Sequence, residues 1–293
     1  MPKHKEWITY GKWKNKYGDI VGVRVFGKSI VILNTSELAQ ELLNSRSVLY
    51  SDRPAFPMLE MMGFNSWNMG IMPLGQEHGL LRRLFSWLLS PKEVARYNDI
   101  RNREIQRLLQ SLLASPSEFR THIRRMNAGI IGQMFYGMDI EDDTSNLIEL
   151  NEEIIMKTSR AGSPAAYIVN TFPIFKHWPK FLPGSGFRRE VQQGQELVSK
   201  LVKISFDLYS PQQSLPNIPS LLTSQSDEKM SPEEFQWAIR AMASTSYSAG
   251  VETSTSLLLS FVLAMLHYPK VQATAQRQLD EKLLLKAHRH AVA

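Results

Sequence analysis

Between Ile20 and Leu33 the chain alternates through Ile-Val-Gly-Val-Arg-Val-Phe and then, after Gly27-Lys28, through Ser-Ile-Val-Ile-Leu. β-Branched residues dominate both runs and a glycine separates them, so the pattern predicts a β-hairpin. Asn34-Thr35-Ser36-Glu37 supplies capping side chains ahead of Leu38, Leu42 and Leu43, which predicts a helix running to about Asn44. Strand signal is sparse beyond this point and the period becomes helical. Residues 91–114 carry Val94, Tyr97, Ile100, Ile105, Leu108, Leu109 and Leu112 at helical spacing, with Arg101, Arg103 and Arg107 turned largely away from that stripe. Further helices are expected over 119–136, 148–159, 188–209 and 232–266, with loops over 172–186 and 211–226. The most apolar stretch, residues 257–266, is too short to span a bilayer and reads as a buried helix. The fold class is mainly α with a small N-terminal sheet and a helical bundle.

Composition narrows the chemistry. The 293 residues are 43% hydrophobic and 21% charged, the mixture of an ordered globular protein. A net charge of +6 favours an acidic partner such as nucleic acid, an anionic membrane face or an acidic redox protein, and equally suits a plain solvated surface. Cysteine is absent, which excludes disulfides, cysteine-ligated zinc or iron–sulfur centres and a thiol nucleophile. The opening residues Met1 to Trp7 are basic without an apolar core, so no signal or anchor segment is expected there. A nucleophile elbow, a phosphate-binding glycine loop, a dinucleotide fingerprint and a zinc-protease helix are all missing from the sequence. His288 and His290 lack the further ligands zinc requires, so no metal site is assigned.

Within the expected long helix stands Ala249-Gly250-Val251-Glu252-Thr253-Ser254. Gly250 is a poor helix former, and the hydroxyls of Ser248, Thr253 and Ser254 compete for carbonyls one turn back. A bond from Thr253 toward the carbonyl of Ala249 would widen a groove beside Gly250, with Glu252 placed to feed protons into it. The plain alternative is a packed helix whose small residues permit close approach and whose Glu252 pairs with a basic neighbour.

Several segments, taken in order, resemble the cytochrome P-450 family, in its fungal-like form. Tyr17-Gly18-Asp19-Ile20 leading into the hairpin is similar to that family's first sheet, and Tyr50-Ser51-Asp52-Arg53-Pro54 to the segment after its second helix. Pro73-Leu74-Gly75 with Leu81-Arg82-Arg83-Leu84-Phe85 resembles its third helix. Phe172-Pro173-Ile174-Phe175 through Trp178-Pro179 to Pro183-Gly184-Ser185-Gly186-Phe187 resembles the loop capping the substrate channel. Ala249 to Ser254, then His267-Tyr268-Pro269-Lys270-Val271-Gln272, resembles the oxygen-binding helix and the turn into the next.

The resemblance implies a cytochrome P-450-like fold over residues 1–280, a tail without family resemblance over 281–293, and haem-dependent monooxygenation of an apolar small molecule. It also implies a haem cofactor, an NADPH-dependent reductase partner, peripheral membrane contact and no nucleic acid; the family resides at the endoplasmic-reticulum membrane, but with no signal or anchor segment expected the localisation of this chain is left open. Carried over residue by residue, Arg82 pairs with a haem propionate, and His78 stands where the family usually has tryptophan. Ala249 and Gly250 flank bound dioxygen, while Thr253 and Glu252 serve proton delivery. The Glu-x-x-Arg element and the cysteine loop that ligates iron are not found, so the chain is expected to be inactive as written, as a gene-model or splicing truncation would leave it. The alternative is a non-enzymatic helical binding protein, or decoy, retaining part of the substrate pocket.

Other groups carry two readings each. Arg82 and Arg83 otherwise form a solvated helix face. Met58, Met61, Met62, Met69 and Met72 line an apolar pocket or fill a core. Tyr167, Ile168, Phe172, Phe175, Trp178, Phe181 and Leu182 form a lid or membrane-dipping surface, or pack under a long loop. Truncation implies partly exposed apolar faces on the helix at 232–266, and hence poor solubility.

Overall fold

The computed structural model describes residues 5–25, 27–139, 146–163, 166–179, 181–207 and 230–291, the side chains of 205–207 and 283–291 excepted. Strands β1 (Ile20–Val25) and β2 (Lys28–Leu33) pair antiparallel with Ile20 opposite Leu33 and Val25 opposite Lys28. Gly27 turns the hairpin at φ 79°, a conformation that costs glycine nothing. A helix that the hydrophobic pattern does not announce, α1 (Glu6–Tyr17), precedes β1; it buries no residue, so there is no apolar stripe to read.

The chain folds as two compact units, Met1–Arg82 with Lys157–Glu196, and Arg83–Met156 with Leu197–Ala293. In the first, α2 (Ser36–Gln40) starts as expected, Thr35 Oγ1 accepting from Leu38 N–H at 3.4 Å, and passes into a π-turn at Glu41–Ser45. Helices α3 (Ser47–Tyr50), α4 (Pro57–Met62) and α5 (Gln76–Leu88) follow. The methionines here act as core: Met58, Met62 and Met72 are buried with Phe64 and Trp67.

Buried Asn170, in the short helix α10 (Ile168–Thr171), ties this unit together. Its Oδ1 accepts from Met58 N–H at 3.1 Å, and its Nδ2 donates to the carbonyls of Ala161 (2.7 Å) and Ser163 (3.1 Å). The loop expected over 172–186 contains a 3₁₀ turn at Pro173–His177, and Ile168, Phe172, Ile174 and Phe181 on this surface are exposed.

In the second unit the stretch 91–114 is three pieces rather than one helix: α6 (Pro91–Val94), a 3₁₀ turn (Ala95–Tyr97) and α7 (Asn98–Ala114). Its expected stripe is buried at Tyr97 and Ile100 but not further along. Ile105 and Leu109 are exposed, whereas Arg103 and Arg107 turn toward α8 (Phe119–Tyr136) and its following loop. Arg103 bonds Gln133; Arg107 grips both oxygens of Asp139 at 2.7 and 2.8 Å and reaches Glu104 at 2.9 Å. Beyond Ile100 a charged, hydrogen-bonded seam at Arg103 and Arg107 thus takes over from the apolar one, which periodicity cannot anticipate. Burial pushes the Glu104 carboxyl above the ordinary carboxylate range, against the pull of Arg107.

Helices α9 (Leu147–Ala161) and α11 (Phe187–Asp207) match expectation within two residues where described; residues 211–226 lie outside the described residues. The long helix α12 (Pro232–His267) starts where Ser231 Oγ accepts from Glu234 N–H at 3.2 Å, with Pro232 at its first position and two glutamates in its first turn. It packs on α8, with Ala238, Ala241, Met242 and Val251 buried, and the rings of Tyr136 and Tyr247 meet at 5.8 Å. Its last three turns contradict the expectation of a buried helix: no residue from 256 to 267 is buried. Helix α13 (Pro269–Ala291) follows and runs unbroken through residue 281, where the sequence reading begins a tail without family resemblance; the side chains of His288 and His290 lie outside the described residues.

Candidate functional site

The middle of α12 is where packing and chemistry diverge. Val251 and Thr255 face inward, and buried Asn127 of α8 donates to Thr255 Oγ1 at 3.0 Å. Ala249 and Thr253, one turn apart, lie on the exposed face. Thr253 Oγ1 donates to the Ala249 carbonyl at 2.7 Å, the bond the sequence suggests. The hydroxyl's hydrogen is thereby committed to the backbone, and its oxygen remains an acceptor on that face.

Helix α12 remains α-helical throughout, without local opening. Gly250 has a packing reason: a Cβ there would lie 3.1 Å from Ile131 Cδ1 and 3.4 Å from its Cγ1, so the missing side chain lets α8 and α12 approach.

Glu252 turns from Thr253 toward α8. Its Oε1 lies 3.2 Å from Arg124 Nε, and Arg124 Nη1 also pairs with Glu152 of α9. The Arg124–Glu252 contact joins opposite charges without hydrogen-bond alignment, since both atoms are buried and lack a hydrogen-bond partner. One guanidinium therefore holds two carboxylates from two helices. Arg124 and Glu152 are the residues sequence reading missed. An arginine immediately after Ile123 and before the buried run Met126-Asn127-Ala128 is the signal that points to an acidic partner inside.

In the first unit α5 carries His78 and Arg82 one turn apart. Asp52 anchors the approach to α5 by accepting from Leu74 N–H at 2.9 Å and Arg53 N–H at 2.8 Å, and these two bonds hold its carboxyl below the ordinary range. Arg53 then donates from Nε to Gly70 O at 2.9 Å and from Nη1 to Ser51 O at 2.8 Å. His78 is buried; burial first, then the charges of Arg53 and Arg82, pushes its imidazole below the usual value and favours the neutral ring. Arg82 is exposed and makes no hydrogen bond or ion pair with the described residues. The expected residues thus fall into two groups, His78 with Arg82 in the first unit and Ala249 to Thr253 in the second.

A carboxylate or other acidic group suits Arg82, whose planar donors are uncommitted. Among the described residues no cluster of histidine and acidic side chains is arranged to hold a metal ion.

The profile of the cytochrome P-450 family matches residues 4–290. The chain is 31% identical over 283 residues to cytochrome P-450 monooxygenase 208 of Postia placenta, covering 96% of this chain and 55% of that protein. It is 31% identical over 290 residues to cytochrome P-450 monooxygenase COX1 of Coprinopsis cinerea, covering 96% and 56%. A zebra fish cytochrome P-450 structure with progesterone superposes with a TM-score of 0.72 at 16% identity, over 96% of this chain and 64% of that one. The chain therefore spans little more than half the length of these curated relatives. On the family profile and these relatives, and with a mainly α fold that carries Arg82 on α5 and Ala249 to Thr253 on α12, the chain belongs to the cytochrome P-450 family.

Proposed function

We propose that this chain carries the oxygen-side helix and the propionate-side helix of a fungal-type haem-dependent monooxygenase, and that it does not turn over by itself. Haem supplies oxygen activation when a cysteine thiolate holds its iron. The residues fit that group only in part. Arg82 offers an uncommitted guanidinium to an acidic edge, and His78 a neutral imidazole beside it. No cysteine exists among the 293 residues to ligate iron, so no reaction step is assigned to this chain through haem.

The observation that carries the reading is the Thr253 to Ala249 bond on the exposed face of α12. It leaves an acceptor oxygen beside a small side chain, which suits a proton-relay position next to a small ligand. Glu252, as the second member of that relay, must be released from Arg124 or act through water, because its carboxylate faces α8. Gly250 contributes by helix packing and Ala249 by leaving space.

An apolar substrate, a reductase partner and peripheral membrane contact complete the reading. The membrane contact is supported by exposed Ile168, Phe172, Ile174 and Phe181 beside Lys176 and Arg189, and by exposed Trp7 and Ile8 on basic α1. Nothing favours the alternative of a non-enzymatic binder over this reading.

The test is titration of the purified chain with haem, followed by reduction under carbon monoxide. The expected result is no thiolate-type absorption band. A thiolate-type band from the chain alone overturns the proposal.

A further inference from the structure

We propose that a groove between α9 and α11, wholly within the second unit, binds a small zwitterion, a molecule whose cationic nitrogen and whose carboxylate or phosphate are set apart by a short apolar spacer. The groove encloses about 400 Å³, within the range of small-molecule sites. Its α9 edge carries Glu149 and Glu153 and its α11 edge carries Lys200 and Lys203, while Leu150, Leu197 and Ile204 supply an apolar lining. Leu197 is buried, Leu150 and Ile204 are half-buried, and the four charged side chains are exposed.

The near partners of these charges are spent elsewhere. Glu153 has Lys157 one turn along its own helix, the spacing at which a glutamate and a lysine ordinarily pair. Lys157 Nζ instead donates to Glu190 Oε2 at 3.0 Å and to Gln193 Oε1 at 2.7 Å. Lys200 has Glu196 one turn back, but Glu196 Oε1 accepts from Gln192 Nε2 at 3.2 Å. Among the described residues none of the four groove charges makes an ion pair or a side-chain hydrogen bond, so they do not meet across the groove either.

Each edge therefore holds two like charges about a turn apart, which repel, and the two edges are opposite in sign. The dipole of α9 favours a carboxylate at Glu149, in the first turn, and gives no such reason for Glu153. A solvated surface, the plain alternative, has no need to sort its charges by sign along two edges of an apolar groove. A ligand of one sign relieves only one edge. A zwitterion relieves both, its cation against Glu149 and Glu153, its anion against Lys200 and Lys203, and its spacer on the apolar lining. None of this depends on haem.

The test titrates the purified full chain with 6-aminohexanoate at low salt and follows the backbone amide signals of residues 146–153 and 197–204 by nuclear magnetic resonance. Saturable shifts in these two segments are expected, with affinity roughly tenfold above that for hexylamine or hexanoate and falling as salt is added. Glu149→Gln with Glu153→Gln, and separately Lys200→Gln with Lys203→Gln, should each weaken binding by roughly tenfold. All four side chains are exposed, so circular dichroism should stay that of the wild type. Exchanging the two edges in one chain, by Glu149→Lys, Glu153→Lys, Lys200→Glu and Lys203→Glu, should restore binding, because a zwitterion can turn round.

Glycerophosphocholine, a soluble zwitterion bearing a phosphate, separates the two sources of this chemistry. Tighter binding than 6-aminohexanoate assigns the groove to a lipid headgroup and weaker binding to an amino carboxylate, and either upholds the inference. No saturable shift with either zwitterion overturns it. So does hexylamine binding as tightly as 6-aminohexanoate, or an edge-exchanged chain that keeps its circular dichroism and fails to bind.

Discussion

Replacing Arg124 by glutamine should destabilise the second unit more than replacing either of its acidic partners. In the wild type one guanidinium faces Glu252 at 3.2 Å and pairs with Glu152. Side-chain exposure is 32% for Arg124, 23% for Glu252 and 40% for Glu152, between the exposed pairs worth about 0–1 kcal/mol and the buried ones whose disruption costs about 3–5 kcal/mol. The net coupling of Arg124 to Glu252 is therefore about 1–2 kcal/mol. Arg124→Gln leaves two carboxylates facing each other with no cation, so its cost should reach about 2–3 kcal/mol. Glu252→Gln leaves Arg124 still paired with Glu152 and should cost only about 1 kcal/mol. Urea unfolding of the wild type, both single variants and the double variant, followed by circular dichroism at equal slope, yields the coupling directly. A coupling below about 0.3 kcal/mol, or Glu252→Gln costing as much as Arg124→Gln, would refute the bridging role.

Two further perturbations test the packing and the buried charge. Gly194→Ala should cost about 1–2 kcal/mol, because its Cβ would lie 2.5 Å from Met62 Cγ and 3.0 Å from Met62 Cβ, and overpacking then outweighs the helix-propensity gain of about 1 kcal/mol. Gly79→Ala, where a Cβ meets nothing within 4 Å, should instead stabilise by about 0.5–1 kcal/mol; opposite shifts in thermal midpoint are the signature, and like shifts count against the argument. Glu104 has its folded-state carboxyl pushed up by burial, so the folded chain holds that proton more tightly than the unfolded one. Its contribution to stability is present below the ordinary carboxylate value and is lost as pH rises through the raised one. Wild type minus Glu104→Gln, measured as urea midpoints across that window, should fall with pH, and a flat difference would show that Arg107 cancels the burial.

Local chemistry made much of the fold legible. Helix α8 spans Phe119–Tyr136 as read, because Pro116 and Gly137 bracket it and Gly137 adopts the left-handed cap at φ 69°. Ser231-Pro232-Glu233-Glu234 announces α12 for the same kind of reason. Where the reading failed, the deciding interaction was distant in sequence. The helical period turns Arg103 and Arg107 away from the apolar stripe, whereas Gln133 and Asp139, about thirty residues away, draw them inward. The residue types on α12 suggested a groove, but Gly250 serves the approach of Ile131 and Glu252 serves Arg124. Neither partner lies within a turn of its target in sequence, so no helical period can reveal it.

By itself, the sequence determined the hairpin, the starts of α2, α8 and α12, the Thr253 to Ala249 bond and the absence of a thiolate ligand, since each depends on nearby residues or on composition alone. Only the tertiary structure decided which face of α7 is buried, which carboxylates Arg124 holds and that the apolar end of α12 stands open. Burial and charge pairing are properties of what packs against a residue, and hydrophobic periodicity records only that something should.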